Sequence, residues 1–203
     1  MRLLRPVALA LPGLSLFVLG QFHPMHLTYA TSRSWWVLHV VGLFLFPLVA
    51  LALAALVRGR RDAVAVLTVL LAYGFATAYS ALDVIAGIAA GYVTERLGPG
   101  VPRPPEVGSL FHVGNQLGWW GALALVLAAL VLVADALWRH RVRALPAVLM
   151  LPGAYLVQTH HIYHPLGAAG MALVGLATGW LAWTARGPQN SRSDGSSMPR
   201  SAS

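Results

Sequence analysis

Apolar residues fill this sequence in long blocks, and the polar positions between them are short clusters of arginine, proline and histidine. A helix needs about 20 apolar residues to cross a hydrocarbon core of ~30 Å, so each block predicts one crossing. The blocks cover about 3–22, 35–57, 63–92, 110–138, 145–164 and 166–183, each near or above that length. They predict an all-α, polytopic integral membrane bundle of six transmembrane helices, a single domain over residues 1–185. The first block follows Met1-Arg2-Leu3-Leu4-Arg5 as a signal peptide would, but no A-x-A-like cleavage site comes after it, so a retained helix is expected. Trp35 and Trp36 open the second block where interfacial aromatic residues belong. Pro47 predicts a kink in the second helix, and Pro152-Gly153 a bend in the fifth. The third block is long enough to tilt or to project beyond the lipid, and its Gly74, Gly87 and Gly91 allow close helix contact. The Pro-rich stretch 98–105 is expected to be non-helical, an ordered external cap or a stiff extended loop, and the Ser-, Arg- and Gly-rich tail, 186–203, is expected to be disordered in the cytoplasm.

Charge sets the orientation. The chain carries 14 Lys and Arg, all of them arginine. Arg2, Arg5, Arg58, Arg60, Arg61, Arg139, Arg141, Arg143, Arg186, Arg192 and Arg200 fall at alternate block ends, with Arg33, Arg96 and Arg103 at the others. Loops retained in the cytoplasm keep their arginines, so this bias puts both termini inside. With 58% hydrophobic and 10% charged residues the chain cannot cover the surface of a soluble globule. The net charge of +8 therefore reads as membrane anchoring and attraction to anionic lipid, with no nucleic-acid partner. The expected location is the cell membrane, the inner or plasma membrane in a bacterium. Absence of cysteine removes disulfides, thiolate ligands and thiol nucleophiles.

The same threading puts seven of the 8 histidines on the outer side, leaving only His140 inside. His112, Asn115 and Gln116 share one face of the fourth helix at i, i+3 and i+4, and Trp119 continues it. His160 and His164 stand one turn apart at the end of the fifth helix, with His161 and Gln158 beside them; imidazoles at this spacing can chelate one ion. His23, Met25 and His26 follow the first helix, and imidazole with thioether suits Cu(I). His39 lies one turn below Trp35 in the outer leaflet. Asp83, a carboxylate well inside an apolar block, needs a partner there, because a charge at the bilayer centre costs ~3 kcal/mol on insertion scales. The expected metal ligands are His39, His112, His160 and His164, then Asp83 and His161. His23, His26, Met25, Asn115, Gln116 and Gln158 are supporting or additional ligands. Met25-His26-Leu27-Thr28 resembles the motif of MHYT membrane sensor domains, and His164-Pro165-Leu166-Gly167 a stretch of a nickel-permease-like family. Neither likeness extends beyond these short stretches, and no family is assigned from them.

Several functions fit this pattern. The leading one is a His-rich outer-leaflet site for copper or non-haem iron, with zinc as a further ion, in redox chemistry or metal handling. It would make the chain a metal-dependent membrane oxidoreductase acting on a lipid-soluble small molecule. A haem electron-transfer protein with two axial histidines is the alternative cofactor reading. A metal permease lacks polar groups in the inner half beyond Thr68 and Asp135. Metal-free acid–base catalysis by histidine and Asp83, and an accessory or structural subunit, remain open.

Overall fold

The computed structural model describes residues 3–185; the tail expected at 186–203 lies outside the described residues. Every element among the described residues is helical. Helix α1 spans Leu4–Gly20 and α2 spans Tyr29–Leu56. Helix α3 runs Ala63–Leu97 with a π-helical turn at Asp83–Ala89. Helix α4 covers Pro105–His140, and a 3-10 segment, Arg141–Leu149, leads into α5, Met150–His160. Helix α6 is Leu166–Thr184.

Helix starts follow local chemistry more closely than hydropathy does. Helix α2 begins ahead of Trp35 because Thr28 and Thr31 form a reciprocal capping box, satisfying backbone donors that a helix start leaves free. Asp62 caps α3 by accepting from the Ala65 N–H at 3.0 Å. Pro105 opens α4, a position where its missing N–H costs nothing. The fifth block divides: Arg141, at φ 48°, ends α4, and residues up to Leu149 coil tightly before α5 starts. At 35 residues α3 is about 52 Å long, well beyond a hydrocarbon core of ~30 Å.

Consecutive helices pack side by side from α1 to α6, and α6 closes the ring against α1. Glycine makes these seams tight. A Cβ on Gly13 would lie 2.7 Å from the Gly175 backbone, and one on Gly153 2.8 Å from the Gly170 carbonyl. Close backbone approach through small residues is how helices associate in lipid, where hydrophobic exclusion contributes little. Phe46, Phe75, Tyr79, Leu125 and Met150 are fully buried at the centre, while Leu51, Leu70, Tyr73, Leu130 and Leu176 point outward. Four helical stretches are long and apolar enough to cross a membrane: Tyr29–Leu56, Ala63–Leu97, the run Pro105–His160, and Leu166–Thr184. An apolar exterior on such helices is that of a membrane protein.

At the arginine-rich end, Arg60 forks onto Asp135 at 2.6 and 2.9 Å and onto Asp62 at 3.0 Å, and Arg139 joins Asp135 at 2.8 Å. The network ties the α2–α3 turn to the end of α4. The hydrogen bond from Arg60, followed by that from the Ala65 N–H, holds the Asp62 carboxyl below the usual carboxylate range. A depressed acid contributes stability that is complete above its unfolded pKa of ~3.9 and is lost as pH falls through the folded value. In detergent, Asp62→Asn should therefore flatten the loss of melting temperature below about pH 4 while leaving the neutral-pH fold intact. Tryptophan-fluorescence melts across that range read the effect, and an unchanged acid limb would contradict it.

Candidate metal centre

His23, His39 and His161 come together from three elements at the end of the bundle opposite that network. His39 projects inward from α2; His23 lies in the turn after α1; His161 follows the last residue of α5. One candidate ligand atom from each lies within 4.8 Å of the other two. His23 and His39 are buried at 6% and 4% exposure, and His161 is partly buried. Helix α3 gives the cluster room through Gly87, where any side chain would overlap the His39 ring.

Backbone carbonyls fix two of the imidazoles. His39 Nδ1 lies 2.7 Å from the Trp35 carbonyl oxygen, and His23 Nδ1 lies 2.8 Å from that of Pro24. A carbonyl only accepts, so each Nδ1 carries the proton and each Nε2 is left with a lone pair. Those two Nε2 atoms face one another at 3.5 Å. Two lone pairs at that distance repel unless an electrophile sits between them. Burial holds His23 below the usual histidine range, with the Pro24 carbonyl opposing it, so a proton is disfavoured in that role. A tetrahedral ion with Zn–N-type bonds of ~2.0–2.1 Å sets its nitrogens about 3.3 Å apart, close to the separation observed. Backbone acceptors on the far ring nitrogen are the usual device for aiming a metal-binding histidine.

His161 completes the cluster under constraint. Its φ of 52° puts a non-glycine residue in a region that costs about 1–3 kcal/mol, which the surroundings must offset. Tyr79 supplies part of that: its ring stacks on the imidazole at 5.5 Å, and its hydroxyl lies 3.3 Å from Nδ1. Trp35 and Tyr163 enclose His23 at 5.0 and 4.7 Å between ring centres.

A cavity of about 280 Å³ opens beside the cluster. His39, His161 and Tyr79 line its inner part, and Asn115, Trp119 and His160, all exposed, line its mouth between α4 and α5. Both polar atoms of the Gln158 amide are buried without a hydrogen-bond partner among the described residues.

The remaining expected ligands stand elsewhere. His112 is exposed and accepts from the Gln116 amide at 3.1 Å within α4. His160 is exposed and paired with the Thr159 hydroxyl at 2.7 Å, and His164 is exposed. Met25 and His26 are exposed in the α1–α2 turn. Asp83 is 1% exposed in the π-helical turn, against Gly42, and its Oδ2 has no partner among the described residues. It lies outside the histidine group. The seven histidines expected on one side thus divide into a cluster of two buried and one partly buried, His23, His39 and His161, and an exposed four, His26, His112, His160 and His164. His23 was expected as a supporting or additional ligand behind His39, His112, His160 and His164, and Tyr79 was not singled out. Its one signal in the sequence is that it stands four residues before Asp83, on the same helix.

No family profile, curated protein or solved structure matches this chain. The chemistry of the site rests on its own residues.

Proposed function

We propose that this chain is a six-pass membrane protein, with both termini in the cytoplasm, that holds one transition-metal ion on His23, His39 and His161 at its extracytoplasmic end. The observation that carries the reading is the facing pair of Nε2 lone pairs, fixed by two backbone carbonyls and joined by a third imidazole. The reversal at Arg141, after which α5 packs back on α4, supports counting the run Pro105–His160 as two passes. The arginine bias supports the orientation.

An all-imidazole set favours copper, with zinc next, over non-haem iron, whose usual facial set includes a carboxylate. Three imidazoles this close favour a bare ion over haem, whose axial ligands need the macrocycle between them. Since His39 and His161 both line the cavity, an ion on them would keep a coordination position facing it. Copper there would serve redox chemistry or metal handling, and the chain would then be a metal-dependent membrane oxidoreductase.

Detergent-purified protein, loaded with Cu(II) and freed of excess, should retain about one copper per chain. Elemental analysis with visible spectroscopy reads this directly. Protein that retains no copper and no zinc after loading would end the proposal.

A further inference from the structure

We infer that the cavity beside the histidine cluster is the path by which the metal ion reaches it from the extracytoplasmic side, and that His160 at its mouth is a transit ligand, holding the ion in passage and not in the finished site. This deepens the reading proposed above and rests on it.

Burial makes a path necessary. His23 and His39 are 6% and 4% exposed, and Trp35 and Tyr163 pack against the His23 ring. Stripping an ion of all its water before it meets a ligand is costly, so water must be traded for protein donors in steps. The cavity gives room for that exchange: at about 280 Å³ it is several times the ~30 Å³ that one water occupies, so an ion enters with part of its hydration shell. It leads to two of the three ligands, since His39 and His161 line it, and no arginine stands among its described lining residues to repel a cation.

Chemistry at the mouth singles out His160. Of the four exposed histidines, His26, His112, His160 and His164, it alone is among the described lining residues. The Thr159 hydroxyl donates its one hydrogen to the Tyr155 carbonyl oxygen at 3.0 Å, so toward His160 Nδ1, at 2.7 Å, it can only accept. Nδ1 therefore carries the proton and Nε2 keeps its lone pair. This is the tautomer that the Pro24 and Trp35 carbonyls impose on His23 and His39. His112 differs here too, because its Nε2 is already engaged by the Gln116 amide at 3.1 Å. One exposed imidazole holds an ion weakly, and three gathered ones take it over by chelation.

The test follows Cu(II) uptake by metal-free, full-length protein in detergent, in stopped flow, as quenching of tryptophan fluorescence. Release from loaded protein into excess chelator is timed separately, and affinity is measured by competition. Trp35 is a built-in reporter, its ring 5.3 Å from that of His39 and 5.0 Å from that of His23. A transit ligand lowers one barrier in both directions, so His160→Ala should slow uptake and release alike about tenfold, with affinity and final copper content unchanged. His26→Ala and His164→Ala should keep the wild-type rates. Wild-type uptake by His160→Ala, or slowing in either of the other two variants to the same extent, overturns this inference and leaves the metal reading intact. Loss of affinity in His160→Ala would make His160 a resident ligand and overturns it as well. Wild type that takes up no copper overturns the metal reading itself, and with it the ion that this path would carry.

Discussion

Replacing His39 by alanine is expected to weaken copper binding by at least about 100-fold, beyond the 10–100-fold typical when only a supporting contact of a metal ligand is lost. His39 combines three features: near-complete burial, a tautomer fixed by the Trp35 carbonyl, and an Nε2 facing that of His23. Its loss leaves two nitrogens, both carried on turns outside the regular helices. His23→Ala and His161→Ala should act in the same direction. Replacing His160 and His164 together, the pair whose spacing most resembles a chelate in the sequence, should leave copper content unchanged, because both are exposed and outside the cluster. Competition titration with a chelator of known affinity measures all four proteins. If the His160/His164 pair lost copper and His39→Ala kept it, the ligand set would be wrong.

Gly87→Ala should produce nearly as large a loss without touching a ligand. The added methyl group would overlap the Cβ, Cγ and Cδ2 atoms of His39, so the imidazole must swing away or α2 and α3 must separate. Overpacking of this kind costs typically 1–3 kcal/mol, and displacement of the ring by even ~1 Å spoils a bond length of ~2.0–2.1 Å. Copper affinity should fall about 10- to 100-fold, as for loss of a positioning contact, with helical content by circular dichroism retained. Gly108→Ala in α4 is the control, since nothing lies within 4 Å of its added carbon. Equal copper affinity in Gly87→Ala and Gly108→Ala would show that His39 is not held as described.

The helical membrane character was legible because it depends on composition over long windows, and blocks such as 63–92 and 166–183 announce themselves at that scale. Boundaries depend on single side chains. Thr28 and Thr31 draw α2 back to Tyr29, and Arg141 divides what hydropathy alone joins. The site was legible in kind, as a gathering of histidines at one end of the bundle, but its membership depends on rotation about each helix. Spacing within α4 or α5 shows which residues share a face, as with His112 and Gln116, yet not which way that face turns. His160 and His161 are adjacent in sequence and take opposite roles because the chain reverses direction at φ 52° between α5 and α6. His23 and His39 meet across a turn containing Pro24, a pairing between elements that no periodicity encodes.

The most direct measurement is X-ray absorption fine structure at the copper edge on the loaded wild-type protein, beside the His160/His164 double variant. Three nitrogen scatterers near 2.0 Å with imidazole outer-shell features, identical in both proteins, are the predicted result. A spectrum with fewer than two imidazoles, or one that loses imidazole scattering when His160 and His164 are removed, would contradict a shared centre on His23, His39 and His161.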